Sequence, residues 1–261
     1  RFDEYVLGMV VDYNLDEKSL LSFLYAGIYG DDGHVDVHTV GVGLDYYLTP
    51  ALEAYLEVYG QWGTYGNVSI EGAFPLADDD QEIDHEAYAG IVGLKYTFDH
   101  ELKPWADVSF TYLSGDDGDI STNGIDGPDT NHDFVSYEDN DATLVLEDNE
   151  FGLDLDSNYW KIQGEFGLTG SIDRAGDFKV RTLLAWAELA HLPTRRGIAQ
   201  GANGLFDDDD EAKELGLEWD VKMSWNYTES LSFGVTFGWL FTGENGFWHG
   251  DDNSARAGSA G

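Results

Sequence analysis

The sequence predicts an all-β fold, an antiparallel transmembrane β-barrel of the outer-membrane type, and three observations support it. First, apolar and polar residues alternate in stretches of about ten residues or more. In residues 215–227, every odd position is apolar or aromatic and every even position is glycine or polar. Second, the connections differ greatly in length, and third, aromatic residues gather at the ends of the stretches. Only a strand places alternate residues on opposite faces, and the other two features are typical of membrane barrels.

Ten strands are predicted from the alternation. They cover residues 4–13, 20–30, 35–48, 52–65, 85–98, 103–114, 158–169, 178–190, 214–227 and 231–242. These stretches are long for a soluble sandwich, where about five or six residues is usual, but a tilted strand crosses a bilayer in about nine to eleven. No run of about 18 apolar residues occurs, so a transmembrane helix is not expected.

The connections alternate between short turns and loops. Short turns are predicted at residues 14–19, 49–51, 99–102, 170–176 and 228–230, and loops at 30–34, 66–84, 115–157 and 191–212. Membrane barrels have short periplasmic turns and long extracellular loops. With this orientation both ends of the sequence lie outside, so we expect at least one further strand before Arg1 and one after Gly261. Residues 1–261 are interpreted as one barrel domain, with 115–157 as a long acidic loop that is extracellular or folded into the lumen.

Aromatic residues are expected to form the interfacial girdles of the barrel. They are Tyr46, Tyr47, Trp62, Tyr65, Tyr96, Phe98, Trp105, Tyr112, Trp160, Trp225, Tyr227, Trp239 and Phe241. A soluble β-sandwich or a lipocalin-like barrel would also show alternation, with the apolar face as its core. That alternative does not account for the strand length, the loop asymmetry or the girdle positions.

The composition excludes several classes of function. The chain has 51 Asp and Glu against 13 Lys and Arg, a net charge of −38, although 42% of its residues are hydrophobic. Nucleic-acid binding is not expected, because it requires a basic face. The absence of cysteine excludes disulfides, zinc–thiolate sites and cysteine nucleophiles. The expected partners are outer-membrane lipid and lipopolysaccharide bridged by divalent ions, with a homo-oligomer or a partner protein left open.

Three segments resemble a known family. Tyr112-Leu-Ser-Gly-Asp-Asp117 ends a predicted strand, residues 215–220 read Leu-Gly-Leu-Glu-Trp-Asp, and residues 237–243 read Phe-Gly-Trp-Leu-Phe-Thr-Gly. In this order they resemble the later strands of alginate-export-like outer-membrane barrels, over residues 105–243. The resemblance implies a passive channel in the bacterial outer membrane, with more strands than the ten seen. The alginate exporters line their pores with Arg and Lys, whereas this chain is mostly acidic, so alginate is not the expected solute.

The alternation assigns a set of charged residues to the inward face. The predicted pore-lining residues are Glu53, Glu57, Asp107, Lys161, Glu165, Glu218, Asp220 and Lys222, and the same face carries Lys95, Lys179 and Arg181. Two compatible interpretations remain open: cross-strand ion pairs that stiffen the wall, or a polar pore with a transverse field that weakly favours cations. Four inward glycines favour open space inside the barrel, namely Gly41, Gly216, Gly234 and Gly238.

Most of the excess acid lies in the loops. Residues 115–158 contain 14 Asp or Glu and no Lys or Arg. Because oxygen-rich clusters suit Ca²⁺, the candidate calcium ligands are Asp116, Asp117, Asp119, Asp207, Asp208 and Asp209. None of the runs matches the calcium-loop pattern. The acids also fit hydrated loops without a metal, or a vestibule that concentrates cations at a pore mouth.

Catalysis is not expected, because the 7 histidines are scattered and no Gly-x-Ser-x-Gly motif occurs. The predicted function is a porin-like channel for passive diffusion of ions or small hydrophilic solutes, biased towards cations. The loop 115–157 would narrow this channel, with residues 134–137 and 144–146 anchoring it to the wall. The alternative function is a structural barrel that sheathes a partner protein, or that binds calcium and a surface layer through its acidic loops.

Overall fold

The structure, a computed structural model, describes residues 4–30, 35–65, 84–115, 130–136, 142–148, 155–172, 176–191, 213–228 and 230–242. The strands are β1 (Glu4–Asn14), β2 (Leu20–Gly30), β3 (Val35–Tyr47), β4 (Leu52–Tyr65), β5 (Asp84–Thr97), β6 (Trp105–Leu113), β7 (Tyr159–Ile172), β8 (Gly176–Leu189), β9 (Glu214–Thr228) and β10 (Leu231–Phe241). The predicted all-β fold is confirmed, and each predicted strand is found within a few residues of its expected bounds.

All ten strands form one antiparallel sheet in which each strand pairs with the next one in sequence. The pairing is continuous along most pairs. For example, β4 and β5 stay in register from Leu52 opposite Tyr96 to Thr64 opposite Asp84. This up-and-down order is the connectivity of membrane barrels. In the described residues β1 and β10 are the two edges of the sheet, so the sheet is not closed.

The two faces of the sheet differ as a period of two requires. On β6, Val108 and Phe110 are exposed on one face, whereas Asp107, Ser109 and Thr111 are buried on the other. The same outward row continues across the sheet with exposed Leu56, Val58, Leu94, Ile162, Phe166, Leu184, Met223 and Val235. An extended apolar face on a folded sheet suits contact with lipid. No helix in the described part of the chain is long and apolar enough to cross a membrane.

Several inward aromatic rings lie flat over glycines of neighbouring strands. The Tyr59 ring covers Gly41 and the Trp105 ring covers Gly167, so closely that a Cβ at either glycine would overlap the ring. The prediction that Gly41 marks open space is therefore wrong. The girdle prediction is wrong for Trp105 and also for Tyr47, which pairs with inward-facing Glu53. Proximity to a strand end does not by itself decide which face an aromatic side chain occupies.

Two short turns show how local chemistry ends the strands. Between β1 and β2, Asp16 Oδ1 accepts the N–H groups of Lys18 at 2.8 Å and Ser19 at 2.7 Å. These backbone hydrogen bonds hold the pKa of Asp16 below its usual range, and the bond from Lys18 has the largest effect. Between β7 and β8 the turn is shorter than predicted, because pairing continues to Ile172 opposite Gly176. Gly176 has a φ of +81°, a backbone conformation that glycine adopts readily.

Candidate functional site: a strap across the inward face

A row of charged side chains crosses the inward face. Strand pairing puts Glu53 opposite Lys95, Lys95 opposite Asp107, and Asp107 opposite Glu165. Directly opposed residues on one face have Cβ atoms about 5 Å apart, so these charges interact. Glu165 also forms an ion pair with Arg181, with 3.4 Å between Oε2 and Nε. The row therefore holds three carboxylates and one ammonium group, with a guanidinium at its end.

Aromatic side chains hold this row against the wall. The Tyr55 hydroxyl donates a hydrogen bond of 2.8 Å to Asp107 Oδ1, and the Tyr55 ring lies over Gly93. The Lys95 ammonium lies 5.5 Å from the centre of the Trp105 ring, a cation–π contact. Since a ring over glycine lies flat, these aromatic groups occupy little of the space next to the row.

Residues 142–148, here called the strap, lie against the inward side of β9. The N–H groups of Leu144 and Val145 donate to Glu218 Oε1 at 2.7 and 2.6 Å, and that of Leu146 donates to Oε2 at 3.0 Å. The Leu144 N–H also reaches Asp220 Oδ2 at 3.0 Å. Successive N–H groups that converge on one anion form a backbone nest. The wall anchor predicted for residues 144–146 is present in these hydrogen bonds.

A buried ion pair joins the strap to β7. Lys161 Nζ lies 2.5 Å from Glu147 Oε1, and both side chains are 1% exposed. The N–H and hydroxyl of Thr143 each donate to Glu147 Oε2 at 3.0 Å, and the Tyr159 hydroxyl donates to Oε1. A charge away from water is tolerated only when it is paired and hydrogen-bonded. Lys161 and Tyr159 belong to the wall, so Glu147 has these two partners only while the strap is docked, whereas Thr143 belongs to the strap itself.

A glycine lets the strap approach β10. A Cβ on Gly238 would lie 2.9 Å from Asp220 Oδ1, 3.0 Å from Leu144 Cβ and 3.3 Å from Val145 Cγ2. The prediction that Gly238 marks open space is therefore wrong, because the strap fills that space. Gly216 is not a marker of open space either. Its φ is +124°, and a Cβ there would come 2.5 Å from the main-chain oxygen of Phe241.

Leu146 of the strap belongs to an apolar cluster on the inward face. Its side chain is 1% exposed. The other buried members are Ala89, Leu113, Tyr159, Ala187, Leu189 and Leu215, with Tyr59, Phe134, Leu155 and Leu240 packed against them. The buried wall residues come from β5 to β9, so the cluster joins the strap to side chains of five strands. Around Leu146, the inward face is therefore covered by apolar side chains.

Residues 130–136 also lie on the inward face, but neutral hydrogen bonds hold them. The Gln61 side chain donates to the Val135 carbonyl at 2.8 Å and accepts the Val135 N–H at 2.8 Å. Ser114 Oγ donates to the His132 carbonyl at 2.7 Å, and the Phe134 N–H donates to the Ser114 carbonyl at 3.1 Å. The anchor predicted for residues 134–137 is therefore present at its first two residues, and its last residue lies outside the described residues.

The predicted pore-lining residues fall into two groups. Glu53, Glu57, Asp107, Glu165 and Lys222 lie on inward-facing rows. Lys161, Glu218 and Asp220 lie beneath the strap and are at most 1% exposed. These three can line a pore only if the strap moves away, and the pore-lining role of all eight stays a prediction.

Sequence reasoning missed two residues that hold the inward segments in place: Glu147 of the strap, and Gln61, which binds residues 130–136. The alternation of the strands points to wall residues, whereas Glu147 comes from a loop and Gln61 is a neutral residue among charged ones. One signal was available for the strap. Residues 142–146 read Ala-Thr-Leu-Val-Leu, a short apolar segment inside an otherwise acidic loop. Such a segment is expected to bury itself against the wall.

The calcium prediction is untested by the structure. The candidate ligands Asp116, Asp117, Asp119, Asp207, Asp208 and Asp209 lie outside the described residues. Within the described ranges, no group of three or more His, Asp or Glu is arranged to hold a metal ion.

Comparison with known proteins identifies the family. A family model described as "Alginate export" matches residues 5–258, nearly the whole chain. The match is wider than the resemblance seen over residues 105–243, because it also covers the first five strands. No curated protein matches the chain. Since the matched region includes nearly every residue of the ten-stranded sheet, the chain belongs to the alginate export family, a family of transport proteins.

Proposed function

We propose that the protein is an outer-membrane channel through which ions or small hydrophilic solutes diffuse passively, with a bias towards cations. The observation that carries this proposal is the two-faced sheet. Its outward face is an apolar belt, and its inward face carries the charged row of Glu53, Lys95, Asp107 and Glu165. An apolar exterior combined with a charged interior is the design of a membrane pore. Membership of a transport family supports the same function.

The cation bias follows from the distribution of acid. The net charge is −38, and residues 115–158 contain 14 acids without a Lys or Arg. Acidic groups around a pore mouth raise the local concentration of cations and repel anions. A polyanion such as alginate would meet repulsion from both the loops and the inward row. The partners that fit the outside are outer-membrane lipid at the apolar belt and lipopolysaccharide bridged to the acids by divalent ions.

Single-channel recording tests the proposal. The detergent-extracted protein is inserted into a planar bilayer under a KCl gradient, and the conductance and reversal potential are measured. We expect steady conductance with a cation-selective reversal potential. Absence of conductance from folded protein, or selectivity for anions, would contradict the proposal.

Variants then locate the origin of the selectivity. Changing Asp207, Asp208 and Asp209 to Asn tests the loop acids, and Glu53→Gln tests the inward row. Glu86→Gln is the matched control, because Glu86 is exposed on the outward side of β5. We expect the loop change to shift the reversal potential most and the control to leave it unchanged.

The second candidate function is a structural barrel that sheathes a partner protein or binds calcium and a surface layer. The apolar cluster around Leu146 favours it, because this part of the inward face is packed with side chains. A folded protein that never conducts, including variants with a weakened strap, would support the structural role.

A further inference from the structure

We propose that the strap is a latch that docks and undocks as a unit, covering Lys161, Glu218 and Asp220 when docked and exposing them to the lumen when undocked. The inference deepens the proposed channel function and rests on it for the effect on conductance. The docking movement itself can be measured independently of conductance.

The charged groups of the strap and the wall balance one another. One carboxylate, Glu147, comes from the strap and meets Lys161 on the wall. The other, Glu218, comes from the wall and meets the strap N–H groups. In a buried ion pair, the attraction between the charges is largely offset by the loss of hydration of both partners. Undocking hydrates all of these groups together, so the charged contacts oppose opening only weakly.

Burial of Asp220 destabilises only the docked state. Asp220 is 1% exposed, and its Oδ1 has no hydrogen-bond partner in the described part of the chain. It lies beside Glu218, because both carboxylates accept the Leu144 N–H. A buried oxygen without a donor is unfavourable, and so are two neighbouring carboxylates away from water. Undocking the strap relieves both costs.

Different kinds of contact hold the two inward segments, the strap and residues 130–136. Residues 130–136 are bound to Gln61 and Ser114 through neutral groups. The strap is bound through carboxylates and through Leu146. The strap can therefore leave the wall while residues 130–136 stay in place as its attachment. This movement would add two carboxylates and one ammonium group to the lumen wall.

A cysteine-labelling experiment tests the latch. The chain has no cysteine, so L144C introduces a unique and buried thiol on the strap. The rate of reaction with a water-soluble maleimide is compared in folded L144C/Lys161→Met and L144C/Lys179→Met proteins. Lys161→Met leaves Glu147 without its cation. Lys179→Met removes the same charge from an exposed inward position of β8. We expect labelling at least tenfold faster with Lys161→Met, and equal rates would overturn the latch.

A disulfide provides a second test that does not depend on Lys161→Met folding. Leu144 Cβ lies 3.0 Å from the ideal Cβ position of Gly238. The two positions therefore need to separate by only about 0.5 Å or more to reach the Cβ–Cβ distance of about 3.5–4.5 Å found in disulfides. Oxidised L144C/G238C should show a single low conductance level, and a reducing agent should restore a higher level. A measurable conductance that is the same before and after reduction would overturn the latch. Accelerated labelling without any conductance would support the latch and contradict the channel.

Discussion

Truncation of Leu146 to alanine should loosen the strap without disturbing the sheet. Leu146 is 1% exposed and packs among residues of five strands. Replacing a buried leucine by alanine costs about 2–5 kcal/mol, and the cost is larger where the surroundings cannot collapse. The side chains of hydrogen-bonded strands can move little into the space that the leucine leaves. We therefore expect the docked strap to lose about 3 kcal/mol of stability. Only the docked strap loses this energy, since Leu146 of an undocked strap is already in water.

A shift of about 3 kcal/mol corresponds to a change on the order of 100-fold in the docking equilibrium. Hydrogen exchange of the Leu144, Val145 and Leu146 amides reports this equilibrium, because those N–H groups are bonded to Glu218 when the strap is docked. We expect their exchange in Leu146→Ala to be faster by on the order of 100-fold. Leu184→Ala removes the same atoms from the outward face, where Leu184 is 53% exposed, and should leave strap exchange unchanged.

Two results would refute this reasoning. If Leu146→Ala leaves the three amides within about twofold of the original rate, the apolar cluster does not hold the strap. If Leu184→Ala accelerates them equally, exchange proceeds through unfolding of the whole sheet, and the strap is not a separate unit.

Three further predictions concern single positions. Gly238→Val should make L144C label faster with maleimide, because the new Cβ would overlap the strap at a cost of about 1–3 kcal/mol; an unchanged rate would contradict the close approach. Gly93→Ala should lower the thermal unfolding temperature, because its Cβ would displace the Tyr55 ring, whereas Gly164→Ala should not, because nothing lies within 4 Å of that Cβ. Asp16→Asn should weaken exchange protection of the β1–β2 turn amides at neutral pH. The pKa of Asp16 is lowered in the folded state. The hydrogen bonds to its carboxylate therefore stabilise the native turn above the usual pKa of Asp, and this stabilisation is lost as the pH falls through the folded-state pKa. Exchange protection of the native turn amides that does not change over this pH range would contradict the role of Asp16.

The strands were predictable because their signal is local. Alternation along residues 215–227 reports a two-faced environment at every position, and no distant residue is needed to read it. Boundaries differed where pairing between neighbours extended a strand, as at Ile172 opposite Gly176. The family could also be recognised from short strand segments, and the family match then extended it over nearly the whole chain.

The site was only partly predictable, because its contacts join residues far apart in sequence. Alternation placed Glu218 on the inward face, but not beneath the strap, whose Leu144 is 74 positions away. Trp105 and Gly41 show the same limit, since alternation does not reveal that a ring from one strand covers a glycine of the next.

The sequence by itself determined the all-β architecture, the approximate bounds of the strands and the charged character of the inward face, because side-chain period and composition are properties of the chain. Only the tertiary structure decided which charges face the lumen and which are buried. Lys161 and Asp220 follow the same alternation as Glu53, yet the strap covers them and leaves Glu53 partly exposed. The reason is physical: the docking of a loop depends on a glycine and on oppositely charged partners that different strands bring together.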